Sequence, residues 1–252
     1  MRIPLIAGNW KMHKTVRESV DFARGLLEAI GKVNGVEVAV APPFTALHPV
    51  AEVLKGGPIR LAAQNIFWEE SGAYTGETSG PMLAEAGCSL VIIGHSERRQ
   101  YFGETDETVN RRLFAALAAG LHPIVCIGET LEQRQAGQTF EVVASQLEGG
   151  LTNAGADQTG SVVIAYEPVW AIGTGVTATP EQAEEVHHFI RQTLAERYGE
   201  GLAQTTRILY GGSVKPDNIR DLMACENIDG ALVGGASLEI ESFAAIVGFN
   251  KG

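Results

Sequence analysis

The run Val162-Val163-Ile164-Ala165-Tyr166-Glu167-Pro168-Val169-Trp170-Ala171-Ile172-Gly173-Thr174-Gly175 sets the architecture and hints at the chemistry. Its first four residues are continuously apolar and three of them are β-branched, as in a strand covered on both faces. A carboxylate, Glu167, stands just beyond the strand. A stiff Pro-Val-Trp step and a glycine-rich tip follow. A base at a strand end, under a loop able to close, suits proton abstraction where water must be excluded.

Similar short runs recur on either side: Leu5–Ala7, Val36–Ala41, Ile59–Ala63, Leu90–Ile93, Pro123–Ile127, Arg207–Tyr210 and Ala231–Val233. Between them lie helical spacings. Val16–Ile30 has Thr15 as N-cap and Gly31 as its stop; Thr105–Ala119 ends at Gly120. Thr139–Leu151 follows, then Pro180–Tyr198, with Thr179 as cap and Pro180 in the first helical position. Shorter helices are expected from Thr45, Ser79, Pro216 and Leu238. Eight strand–helix alternations predict an α/β fold with right-handed crossovers. An open doubly wound sheet is the alternative. The first turn, Gly8-Asn9-Trp10-Lys11, carries no dinucleotide fingerprint, and polar residues follow many different strands. Both observations favour a closed (β/α)8 barrel with a ring of loops at one face. No linker or repeat interrupts the chain, so residues 1–252 read as a single domain.

Composition narrows the function. With 252 residues the chain can bury a large core, and 45% apolar with 19% charged residues is ordinary for a globular protein. A net charge of −11 without a basic stripe argues against nucleic acid or an acidic membrane as partner. No run is long and apolar enough for a membrane span or a signal peptide. Cys88, Cys126 and Cys225 form neither a CxxC pair nor a cluster with histidine, so a reducing, cytoplasmic setting without structural metal is expected. Cys126 reads as a small core residue. His187 and His188 point in two directions from one helix and make no metal pair; His13, His48 and His122 have no recognisable context.

The candidate site is assembled from strand ends. Asn9 and Lys11, two apart, face the same way. His95 follows the fourth strand, and Ser96-Glu97 after it can open a helical turn whose N-terminus lowers a histidine's pKa and keeps the ring neutral. Glu97 with Arg98 and Arg99 is either a salt-bridge strut or a direct participant. Gly211-Gly212-Ser213 and Gly234-Gly235 follow the seventh and eighth strands, where close backbone N–H groups suit a phosphate. Screening over about 8 Å lets these local groups outweigh the global negative charge. The long loop from Gln64 to Ser79 carries Phe67, Trp68 and Tyr74, read as exposed aromatics needing a cover, either a second subunit or a lid.

Gly8-Asn-Trp-Lys11, Gly72-Ala-Tyr-Thr-Gly-Glu77, Ile93-Gly-His-Ser-Glu-Arg-Arg99, Cys126-Ile-Gly-Glu129, Ala165 to Gly175, Tyr210-Gly-Gly-Ser213 and Leu232-Val-Gly-Gly235 together resemble the triosephosphate isomerase family over essentially the whole chain. The resemblance implies interconversion of dihydroxyacetone phosphate and D-glyceraldehyde 3-phosphate with no cofactor and no metal. Glu167 matches the general base, neutral His95 the electrophile, and Lys11 and Asn9 the groups stabilising oxyanion charge. Gly173, Gly212, Ser213, Gly234 and Gly235 match the phosphate site. Pro168, Val169, Trp170, Ala171, Ile172, Gly173, Thr174 and Gly175 belong to a lid that runs on to Ala178, braced by Tyr210. Val176 stands where many relatives have lysine. Tyr74 and Thr75 match dimer contacts, so a homodimer is implied. A phosphosugar aldolase using Lys11 as a Schiff base, and a non-catalytic phosphometabolite binder, are the competing readings.

Overall fold

The computed structural model describes residues 2–32, 34–173 and 177–250. Eight parallel strands close on themselves in sequence order. They are β1 (Leu5–Asn9), β2 (Glu37–Ala41), β3 (Ile59–Ala63), β4 (Leu90–Ile93), β5 (His122–Ile127), β6 (Val163–Tyr166), β7 (Ile208–Tyr210) and β8 (Gly230–Val233). The closed barrel is therefore correct and the open sheet is not.

The continuous apolar runs resolve into a strict alternation. Leu5, Ala7, Ala39, Ala41, Leu90, Ile92, Ile124, Cys126, Val163, Ala165, Leu209 and Leu232 pack together inside the barrel. Their neighbours, such as Ile6, Val91, Val125, Ile164, Ile208 and Val233, pack outward beneath the helices. Both sets are buried, which is why the pattern carries no polar interruptions. Cys126 is indeed a core residue, 0% exposed within the barrel interior.

The four long helices fall where spacing placed them: Val16–Ile30, Asp106–Ala118, Thr139–Gly150 and Pro180–Tyr198. Thr15, Thr105 and Thr179 each accept from the amide three residues on, within a reciprocal capping box. The turn expected to open at Ser96 runs as a helix to Phe102, and three other short helices were not anticipated: Leu131–Gln135, Ala156–Thr159 and Glu200–Thr205. Each is seven residues or fewer, too short to display a periodicity.

The seam between β7 and β8 is thin in backbone pairing, with one register pair, Tyr210 to Ala231. Asp229 stitches it. One carboxylate oxygen accepts from Arg191 at 2.6 Å and from the Ile208 amide at 2.9 Å; the other accepts from Arg2 at 2.5 Å. The Asp229 carbonyl accepts from the Leu5 amide at 3.0 Å. One residue thus ties β1, β7 and the helix Pro180–Tyr198 to β8.

The loop from Gln64 to Ser79 departs from expectation in one respect. Phe67 is buried, stacked on Trp68 at 4.2 Å and against Tyr74 at 4.7 Å, with Arg111 over the Trp68 ring at 4.1 Å. The aromatics satisfy one another within the chain, and of the three only Tyr74 is largely exposed, at 44%. Among the described residues no helix is long and apolar enough to cross a membrane.

Candidate active site

The alternation that fills the barrel also builds its mouth. One pleat beyond the inward residues Ala7, Ile92, Cys126, Ala165, Leu209 and Leu232 stand Asn9, Gly94, Gly128, Glu167, Gly211 and Gly234. Two of these six positions carry polar side chains and four are glycines. The bare positions make room for Glu167. A Cβ on Gly211 would lie 2.8 Å from Glu167 Cγ, and one on Gly128 would lie 1.8 Å from the Glu167 carbonyl oxygen.

Glu167 is 2% exposed. Its Oε2 accepts from the Ser96 amide at 2.8 Å, and its Oε1 lies 2.9 Å from His95 Nε2. His95 caps the helix Ser96–Phe102: its Nδ1 accepts from the Glu97 amide at 3.2 Å. Because Nδ1 is an acceptor, the proton sits on Nε2 and points at the carboxylate.

The helix N-terminus is therefore where the sequence placed it, but it does not set the direction of the pKa. Burial lowers the His95 pKa; the adjacent Glu167 charge and hydrogen bond outweigh it, and the pKa is raised above its ordinary value. The expected lowering is not met while the two side chains touch. Glu167 behaves conversely. Burial raises its carboxyl, but His95, the Ser96 amide and Lys11 outweigh burial and hold it below the carboxylate range.

Lys11 adopts a left-handed backbone, φ 51°. Such a conformation costs a non-glycine residue about 1–2 kcal/mol. It is held by Asn9, whose Oδ1 accepts the Lys11 amide at 3.0 Å, and by Gln64, whose Nε2 donates to the Lys11 and Ala41 carbonyls, each at 2.8 Å. The strained turn aims the amine into the cleft, beside Gly234 and 2.6 Å from Glu97 Oε1. Glu97 is thus the partner of Lys11, not part of an arginine strut. Arg98 instead pairs with Glu104, and Arg99 with Asp106 and the Gly94 carbonyl.

Asn9, Lys11, His95, Glu97 and Glu167 line a single cleft of about 530 Å³, together with Gly173, Gly212, Ser213, Gly234 and Gly235. All nine positions matched to catalysis and phosphate binding therefore share one cavity. His13, which had no recognisable context, lines it too. A one-turn helix, Gly235–Leu238, starts at the cleft, and Ser237 Oγ donates to the Gly234 carbonyl at 2.7 Å. Ile172 faces the same cleft, while Val169 and Trp170 face a second cavity behind Glu167. Pro168 and Ala171 are buried between. Thr174, Gly175 and Val176 lie outside the described residues. Tyr74 and Thr75 are exposed and do not line the cleft.

Sequence reasoning overlooked Glu129. Fully buried, it accepts from Tyr166 Oη at 3.1 Å, Trp170 Nε1 at 2.9 Å and Arg134 at 3.1 Å, and its carbonyl accepts the Val169 amide at 3.1 Å. It anchors the first residues after Glu167. Gln64, which steadies Lys11, was also missed. Both stand one or two residues beyond a strand, and that position was the available signal. Among the described residues no group of three or more histidine, cysteine or acidic side chains could hold a metal ion.

The arrangement has counterparts in known proteins. The family model described as triosephosphate isomerase matches residues 4–250. The chain is 57% identical over 251 residues to triosephosphate isomerase of Geotalea uraniireducens (strain Rf4), covering both chains fully. It is 59% identical over 247 residues to that of Chloroflexus aurantiacus, covering 98% of this chain and 99% of the relative. The crystal structure of triosephosphate isomerase from Bartonella henselae superposes with a TM-score of 0.90 at 41% identity, covering 99% of this chain and all of that one. On family model, curated relatives and fold alike, the chain belongs to the triosephosphate isomerase family.

Proposed function

We propose that the chain interconverts dihydroxyacetone phosphate and D-glyceraldehyde 3-phosphate through an enediolate. The observation that carries this reading is the contact of a buried carboxylate, Glu167, with an Nε2-protonated imidazole, His95, at 2.9 Å, in one cleft with the Lys11 amine. Glu167 is the base that moves a proton between adjacent carbons. His95 Nε2–H polarises the carbonyl oxygen, and Lys11 and Asn9 stabilise the negative charge that develops there. The phosphate rests on backbone amides near Gly173, Gly212, Ser213, Gly234 and Gly235.

Substrate entering between Glu167 and His95 breaks their contact. Of what remains around His95, burial and the Lys11 charge favour the neutral ring and outweigh the opposing Glu97 carboxylate, while the Glu97 amide already occupies Nδ1. The same separation removes the strongest influence lowering the Glu167 pKa while its burial persists, so the carboxylate becomes more basic on binding. The segment 168–178 closes as a lid over the phosphate and keeps water from the enediolate. Tyr210, whose phenol burial pushes up to about 12, braces its far end near Ala178.

The working form is a homodimer in the cytoplasm. The exposed apolar side chains Met12 (94%), Phe44 and Tyr74 lie on the segments that follow β1, β2 and β3, the last of which also carries Thr75. Three free cysteines suit a reducing compartment.

Glu167→Ala tests the central assignment in a coupled assay with either triose phosphate. Turnover should drop about 10³-fold or more with the fold intact. A folded variant with near wild-type turnover refutes the base. Borohydride trapping with substrate separates the aldolase reading, since a Schiff base would leave an adduct on Lys11.

A further inference from the structure

Glu167 is held through its backbone as well as through its carboxylate. Beyond the β5–β6 ladder, the Glu167 amide donates to the Ile127 carbonyl at 2.7 Å and the Val169 amide to the Glu129 carbonyl at 3.1 Å. Gly128 lies between these two bonds, with its Cα against the Glu167 peptide so closely that a Cβ would meet the carbonyl oxygen at 1.8 Å and its carbon at 2.6 Å. Any shift of Gly128 toward β6 therefore displaces the main chain from which the carboxylate hangs.

The two polar groups of Gly128 itself go to one side chain. Its amide donates to Gln146 Oε1 at 2.7 Å, and its carbonyl accepts from Gln146 Nε2 at 3.2 Å. Gln146 reaches in from the helix Thr139–Gly150. A primary amide offers a donor and an acceptor side by side, so it serves Gly128 as a further strand would. Asparagine is one methylene too short from that helix, leucine offers neither bond, and an ionised glutamate would set a negative charge against the Gly128 carbonyl.

We propose that Gln146 is a positioning residue for the isomerisation, fixing Gly128 and through it the backbone of Glu167. The inference rests on Glu167 being the base. Its carboxylate must meet both His95 Nε2 and the Ser96 amide. Displacement by a fraction of an ångström at this point costs rate, because proton transfer tolerates little misplacement. Four of the five phosphate-side residues, Gly212, Ser213, Gly234 and Gly235, follow β7 and β8 and share no element with Gln146, and Gly173 stands six residues beyond Glu167, so substrate binding is largely spared.

The test measures kcat and KM for Gln146→Asn, Gln146→Leu and Gln146→Glu, with folding verified by circular dichroism below each variant's unfolding temperature. For Gln146→Asn and Gln146→Leu, kcat should fall about 10- to 100-fold while KM stays within about threefold. Substrate deuterated at the transferred position should give a larger isotope effect on kcat than in the wild type. Gln146→Glu supplies a rescue. A protonated carboxyl has the donor and acceptor of the lost amide, so the variant's kcat relative to wild type should climb as pH falls through the introduced group's pKa.

A purely structural role would lower the unfolding temperature and leave kcat, the isotope effect and this pH trend unchanged, and that result overturns the inference. Should Gln146→Leu not fold, Gln146→Asn and Gln146→Glu decide it. Glu167→Gln, assayed alongside, separates the two failures: an inactive Glu167→Gln with undisturbed Gln146 variants sinks the positioning role alone, while an active Glu167→Gln sinks the base.

Discussion

Acidification should destabilise this protein through one histidine remote from solvent. His187, on the helix Pro180–Tyr198, is fully buried against the rings of Tyr166 and Tyr210. Its Nδ1 lies 3.3 Å from the Asn227 carbonyl, and among the described residues its Nε2 has no hydrogen-bond partner. Burial lowers its pKa from 6.5 to about 3; the Asn227 carbonyl opposes this, and the nearby Arg191 charge adds to it. The folded protein therefore refuses a proton that the unfolded chain accepts. The stability this neutral ring retains is complete above pH 6.5 and declines as pH falls from there toward 3. The slope approaches 1.4 kcal/mol per pH unit, so the loss between pH 7 and pH 5 is about 2 kcal/mol. His187→Gln keeps a donor for Asn227 and cannot titrate. Urea unfolding at fixed protein concentration, for both proteins at the two pH values, isolates the effect. The wild-type advantage should shrink by about 2 kcal/mol on acidification. An advantage that is the same at both pH values refutes the reasoning.

Two further outcomes follow from the mouth. Gly211→Ala places a methyl 2.8 Å from Glu167 Cγ and 3.1 Å from the Tyr166 carbonyl oxygen. The carbonyl belongs to the strand, so the carboxylate must give way; kcat should fall about 100-fold with the barrel intact, and steady-state kinetics with KM near wild type would check it. In Glu167→Gln the main influences raising the His95 pKa are removed while burial and Lys11 remain, so nitrogen-15 spectra of the ring should titrate below 6.5 rather than above it.

The barrel was legible because burial on both strand faces writes continuous apolar runs, and because threonine caps and a terminal glycine bracket Val16–Ile30 so clearly. Glu167 and Asn9 were legible for a related reason: a polar side chain one pleat past an apolar strand has few places to go but the mouth, whereas Lys11 reaches it by a left-handed turn beyond the strand. The rest needed coordinates. Gln146 is 18 residues along the chain from Gly128, and nothing in a helical surface glutamine announces a backbone partner. Phe67 looked exposed since a loop gives no periodicity from which to read its stacking on Trp68. The direction of the His95 pKa was misjudged because it depends on Glu167, 72 residues later, as much as on the helix it caps.

Asp229 has a consequence for how the chain is made. Seven strands emerging from a ribosome form a curved sheet with two free borders, one of them β1. Neither can be sealed until the segment around residue 229 appears, because that aspartate accepts from Arg2, Ile208 and Leu5 at once. Closure therefore waits for β8 to be made. Until then the nascent protein carries unpaired strand margins of the kind that invite intermolecular pairing, and the late arrival of one carboxylate ends that exposure.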